Sequence, residues 1–148
     1  MRYEQLKLEN QLCFPIYAAS RLITREYQPY LDELGITYPQ YLVLMILWEE
    51  DGISVNDIGK KLILNTNTIT PLLKRMEKQA ILKRVRSSVD ERKVIVKLTD
   101  AGILLQEKAA EIPGNLITKL KDSSLQMEEL IQLKNQLGSI IDLLSEKT

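Results

Sequence analysis

Histidine is absent from this 148-residue chain, and cysteine occurs once, at position 13. Without histidine, no Ser-His-Asp or Cys-His nucleophile pair can form within one chain. One thiol and no imidazole leave too few nitrogen and sulfur ligands for a common zinc site, so neither a metal nor a cofactor is expected. A lone cysteine also excludes an internal disulfide and fits a reducing, cytoplasmic compartment. No apolar run approaches the ~20 residues of a membrane span. The first residues, Met1 to Leu6, lack the apolar core of a signal peptide. What is present is ordinary for a globular protein: 45% hydrophobic and 27% charged residues. The length suits one domain with a real core, and 1–148 is read as such.

The net charge is zero but unevenly spread. Residues 60–97 hold eleven Lys and Arg against three acids, Glu77, Asp90 and Glu91, a surplus of eight. The rest of the chain carries the opposite surplus. Such a middle is either a localised anion-binding face, most often for nucleic acid, or a solvated charged surface.

The apolar spacing predicts a first helix over about 10–34, with Asn10 as N-cap and Gly35 as the stop. Thr37-Tyr38-Pro39 opens a second helix, apolar nearly all round through Trp48 and therefore buried. Asp51-Gly52 closes it. Ser54 caps a short helix, Val55 to Leu62. The polar cluster Asn65-Thr66-Asn67-Thr68 precedes a helix over 69–79. Leu82 to Arg86 and Lys93 to Leu98 read as strands of a hairpin with a charged tip. Thr99 caps a further helix, which Pro113-Gly114 interrupts. A final helix runs from Met127 to Leu144 with an apolar stripe.

That order is a mainly α fold: a winged helix-turn-helix over about 36–98, flanked by helices in 1–35 and 99–148. The flanking helices carry more apolar surface than a small winged unit can bury, so they are read as a dimerisation region. A two-fold pair of such units would sit about one DNA turn apart, ~34–36 Å.

Thr66, Asn67, Thr68 and Thr70, with Asn65 before them, place short donors and acceptors where a recognition helix meets bases and phosphates. Lys74 and Arg75 follow one turn on. The bland reading of the threonines is capping alone. Arg86, Asp90 and Arg92 mark the hairpin tip. Arginine suits a narrow minor groove. The acid suits DNA badly, and its sensible role is to orient Arg92. Cys13 and Tyr17 are four apart and share a helix face, and Tyr27 falls near that face four turns on. Tyr38 could reach back across a dimer interface. A phenol donating to sulfur favours the thiolate. Pro15 puts Cys13 in a first turn or beside a kink. Taken alone, Cys13 is either a small buried hydrophobe or a reactive atom.

The chain resembles the MarR family of winged-helix regulators, and within it the OhrR-type peroxide sensors. The resemblance lies in Leu8-Glu9-Asn10-Gln11-Leu12-Cys13-Phe14 with Tyr17, and in Thr37-Tyr38-Pro39-Gln40-Tyr41. It continues through Thr68 to Glu77, Asp90-Glu91-Arg92 and Leu98-Thr99-Asp100-Ala101-Gly102. The resemblance implies that an organic hydroperoxide oxidises the Cys13 thiolate to a sulfenic acid. It implies that Tyr27 and Tyr38 hydrogen-bond that sulfur in the reduced, DNA-bound form and that Tyr17 lines the same pocket. It also implies a homodimer on double-stranded DNA with a palindromic operator. Many members own a second, resolving cysteine. This chain does not, and so resembles the one-cysteine type that needs a low-molecular-weight thiol or proceeds to irreversible oxidation. Asn65 and Asn67 stand where close relatives often carry Asp and Gly, which bears on the operator sequence.

Two other readings stand beside the redox repressor. One keeps DNA binding but has a phenolic or aromatic ligand between the terminal helices and the winged unit as the trigger. The other is a thiol peroxidase, for which a resolving group is missing; no enzyme is expected.

Overall fold

Pro15 decides where the first long helix begins. It has no N–H to offer the carbonyl of Gln11, so the helical ladder cannot run back past that residue. In the computed structural model, which describes residues 2–145, helix α1 accordingly spans Cys13–Leu34. The expected cap at Asn10 is corrected. Asn10 closes a short 3-10 turn, Leu8–Asn10, and its Nδ2 donates to the Glu4 carbonyl at 2.7 Å. Gln11 then takes an extended backbone and separates that turn from α1. Gly35 ends α1 as expected, in the left-handed region at φ 69, where glycine carries no Cβ penalty.

Helix α2, Tyr38–Glu49, opens on a full capping box. The Thr37 hydroxyl accepts from the Gln40 N–H, and the Gln40 side chain accepts from the Thr37 N–H. Its residues Val43, Leu44 and Leu47 are buried. A two-residue strand, β1 (Ile53–Ser54), escaped the sequence reading; two residues are too few to show an alternation. Helix α3 is Val55–Leu62, capped by Ser54. Helix α4 is Thr66–Lys78, three residues earlier at its start than the apolar spacing indicated. Thr66, Asn67 and Thr68 therefore lie inside the first turn of α4 rather than before it, with Asn65 as the N-cap.

Strands β2 (Leu82–Arg86) and β3 (Val94–Leu98) pair antiparallel, Arg84 opposite Val96, and β1 adds to the other edge of β3. Asp51 ties this sheet to the end of α2, its Oδ1 accepting from the Leu98 N–H at 2.9 Å. Helices α5 (Asp100–Ala109), α6 (Ile112–Lys121) and α7 (Met127–Ser145) complete the described chain. Thr99 caps α5. Gly102 there cannot be anything larger: a Cβ would collide with the Ile81 carbonyl, while its own carbonyl accepts from the Trp48 indole N–H at 2.9 Å.

The core joins Leu31 and Ile36 to Val43, Leu44, Leu47, Ile58, Ile69, Leu73, Met76, Leu82 and Val96. It sits between α2, α3, α4 and the sheet. Helix α7 contributes nothing buried to it, and α1 contributes only Leu31. None of the described helices is long and apolar enough to cross a membrane.

Candidate functional site

The chain presents two surfaces that carry chemistry. The first is the start of α4 with the β2–β3 wing. Asn65 is the N-cap of α4, its Oδ1 accepting from the Thr68 N–H at 3.1 Å and from the Thr68 hydroxyl at 3.2 Å. The cap is therefore Asn65 rather than any of the threonines, and Thr68 is the residue it holds. The cap hides none of the cluster, because Asn65, Thr66, Asn67 and Thr68 are all exposed. Thr70 is half-buried, and Lys74 and Arg75 are exposed farther along. The free N–H groups of this first turn and the surrounding cations favour an anion there.

At the wing, Ser87 Oγ accepts from the Val89 and Asp90 N–H groups and folds the tip. Asp90 grips Arg92 with both carboxylate oxygens, at 3.1 and 3.3 Å to Nε and Nη2. That is the orienting pair expected of an acid at this place. The hydrogen bond from the Arg92 side chain, then that from its backbone, holds the Asp90 carboxyl below the usual carboxylate range. The Arg92 side chain is nonetheless 92% exposed, so its charge is aimed outward. Arg86 Nη1 donates to the Glu91 carbonyl at 3.4 Å.

Two residues that steady this surface gave no sign of that role in the sequence. Glu77, in α4, accepts from the Arg84 N–H at 2.8 Å and from its guanidinium at 3.1 Å. It locks the recognition helix to strand β2. Those bonds, the backbone one first, hold its carboxyl low. Asp51 read as a helix stop and is also the anchor of β3 described above. In both cases the partner lies across a turn or a sheet, where spacing carries no signal.

The second surface is the start of α1. Cys13 is exposed, and so is Tyr17, whose ring lies 4.7 Å beneath the Arg21 guanidinium. Tyr27 is on the same helix, but fourteen residues at 1.5 Å each put it about 21 Å away. One chain therefore does not bring Cys13 and Tyr27 together. Tyr27 instead packs on Tyr38 at 5.0 Å and on Tyr41 at 5.8 Å between ring centroids, with Trp48 beyond at 6.4 Å from Tyr41. Tyr38 thus meets Tyr27 within its own chain. Tyr41 is the member of this cluster that sequence reading passed over as a site residue, because it sits on a helix apolar all round. Burial first, then Tyr38 and Tyr41, pushes the Tyr27 phenol up to about 12. Burial likewise raises Tyr38 and Tyr41. All three stay neutral O–H donors at ordinary pH.

The profile of the SarA/Rot transcriptional regulators matches residues 25–112. The organic hydroperoxide resistance transcriptional regulator of Bacillus subtilis (strain 168) is 48% identical over 146 residues, 99% of this chain and 97% of that protein. The chain belongs to the MarR family of winged-helix transcriptional regulators. Another relative, AbfR of Staphylococcus epidermidis, has been solved in several states. Reduced AbfR bound to DNA is 41% identical, with 97% of this chain and 99% of that chain covered and a TM-score of 0.77. Disulfide-formed AbfR is 39% identical, with coverages of 99% and 95% and a TM-score of 0.62. Overoxidized AbfR bound to DNA gives the same TM-score of 0.77, so this MarR-type chain is closer in shape to the DNA-bound forms, whatever their oxidation state, than to the disulfide form.

Proposed function

We propose that this chain is a DNA-binding repressor, a cytoplasmic homodimer that leaves a palindromic operator when an organic hydroperoxide oxidises Cys13. The observation that carries the reading is an exposed, solitary thiol opening α1 in a chain so close to an organic hydroperoxide resistance regulator over its full length. The start of α4 supplies the groove contacts through Asn65, Thr66, Asn67, Thr68 and Thr70. Lys74 and Arg75 hold phosphates, and the outward Arg92, steadied by Asp90, reaches the minor groove with Arg86.

The separation along α1 supports a chemical role for the second copy. Tyr27 and Tyr38 donate to the sulfur of Cys13 of the partner subunit, with Tyr17 lining the same pocket. Neutral phenols can do this throughout the physiological range. The Cys13 thiolate attacks the terminal oxygen of the hydroperoxide, and the O–O bond breaks. Sulfur is oxidised by two electrons to a sulfenic acid, and the peroxide is reduced to an alkoxide that takes a proton and leaves as alcohol. A small thiol then condenses with the sulfenic acid, releasing water and leaving a mixed disulfide. With one cysteine per chain this is a switch rather than a turnover cycle.

A cleft of about 970 Å³ between the α3–α4 turn and the end of α7 is the place where a ligand-released reading would act. Lys60, Lys61 and Asp142 line it and no aromatic side chain does, so it suits an aromatic inducer poorly. The deciding experiment is operator release by cumene hydroperoxide. Cys13→Ser is expected to bind the operator like wild type and to stay bound at doses that release wild type. Equal release of both proteins would sink the redox reading in favour of the ligand-type trigger.

A further inference from the structure

Three hydrogen bonds join the α1–α2 corner to the far end of the recognition helix. The Thr37 N–H donates to Gln40 Oε1 at 3.1 Å. Gln40 Nε2 donates to Gln79 Oε1 at 2.9 Å. Gln79 Nε2 donates to the Gly35 carbonyl at 3.1 Å. The bridge closes a ring, because Gly35 and Thr37 belong to the same turn. Gln40 is only 4% exposed, so its amide has little water to replace a lost partner.

Each end of this bridge is mechanically placed. Gln79 is the C-cap residue of α4. Ala80 follows it in the left-handed region at φ 60, and its carbonyl accepts from the Thr99 hydroxyl at 2.6 Å. A shift of Gln79 therefore moves the recognition helix and the root of the wing together. At the other end, Thr37 precedes Tyr38, whose ring rests on Tyr27. The apolar packing of α2 on α4 is non-directional and names no single pair of atoms. A chain of amide hydrogen bonds holds only within a few tenths of an ångström of its geometry.

We propose that Gln79 is the positioning residue that couples the tyrosine corner to the DNA-reading helix, with Gln40 as its buried partner. While the bridge is intact, the corner and α4 move as one body. When the corner shifts on oxidation, the bridge carries that displacement to α4. The proposal rests on the Cys13-triggered release described above. It adds to that reading a specific route between the thiol's surroundings and the operator.

The test measures operator affinity by fluorescence anisotropy for the full-length reduced protein and again after cumene hydroperoxide. Wild type, Gln79→Met and Gln79→Glu are compared. Methionine keeps length and helix propensity but removes both bridge bonds. Glutamate keeps the acceptor for Gln40 and removes the donor to Gly35. Sulfenic acid formation is followed in parallel by mass spectrometry of dimedone-trapped Cys13. The ratio of reduced to oxidised affinity should fall at least about fivefold in Gln79→Met, the lower end of ordinary coupling factors, and less in Gln79→Glu. The oxidation rate of Cys13 should stay that of wild type in both. A merely structural role would lower the melting temperature and leave the ratio unchanged, and that result in both variants overturns the proposal. If wild type itself is not released by peroxide, the redox reading falls and takes this coupling with it. If wild type is released and both variants are released equally well, only the coupling falls.

Discussion

The winged half of this chain and its terminal helices solve the burial problem differently. Helices α2, α3 and α4 with the sheet close over Val43, Leu44, Ile58, Leu73, Met76 and Val96, none of them measurably exposed. Helix α7 buries nothing, and it exposes Ile131, Leu133, Ile140, Ile141, Leu143 and Leu144. The start of α1 likewise exposes Leu12, Phe14 and Ile16 around Cys13. The half that reads DNA is thus complete within one chain. The half that carries the thiol is not, and its apolar surface calls for a second copy. The tyrosines sharpen the contrast. Tyr27 is too far along α1 to serve the thiol of its own chain, and Tyr38 and Tyr41 of α2 are gathered against it where the two halves meet.

The largest effect is expected from charge placed on α7. Leu133 and Ile140 are two turns apart on one face, 47% and 43% exposed in the single chain. Leu133→Asp with Ile140→Asp should yield monomers by sedimentation velocity, because a buried unpaired carboxylate costs several kcal/mol. Operator affinity should collapse with association, while urea unfolding still reports a folded winged half. A variant that remains dimeric would mean that α7 is not the interface.

A smaller effect belongs to the wing. Arg92→Ala is expected to cost about 1–3 kcal/mol of operator affinity in a binding titration. Asp90→Ala should cost less, since the cation remains and only its orientation is lost. Undiminished affinity of Arg92→Ala would remove the wing from the interface.

The smallest effect is a titration. Burial holds the Tyr27 proton up to about 12, whereas an unfolded tyrosine loses it near 10. The folded state therefore keeps protons that the unfolded state gives up. The stability this contributes is complete below pH 10 and is lost as pH rises toward about 12. Phenolate absorbance of wild type should keep rising to that pH, and Tyr27→Phe should finish earlier. Completion at the same pH in both proteins would show that the cluster is open to water.

Much of the fold could be read along the chain because its signals are local. Gly35, Thr37, Ser54, Asn65 and Thr99 punctuate helices through contacts within a few residues, and alternation marked β3. The Asp90–Arg92 pair was legible for the same reason, being two residues apart. Reading failed where a signal was overruled nearby or lay far off. Asn10 has the chemistry of a cap, yet Pro15 denies Gln11 a helical partner and moves the start to Cys13. Strand β1 is defined only by its pairing with β3. Glu77 with Arg84, Asp51 with Leu98 and Gln40 with Gln79 meet across turns and layers, and no periodicity announces such pairs.

The order of residues sets which chemistry is possible: one thiol, no imidazole, a basic middle, and capped helices in winged helix-turn-helix order. Which groups can meet follows from the folded geometry. Helix rise separates Cys13 from Tyr27 by about 21 Å within one chain. Side-chain packing gathers three tyrosines into one neutral cluster instead. Residue identity sets what a group can do, but distance in three dimensions sets what it can meet, and here that distance keeps Tyr27 from the thiol of its own chain.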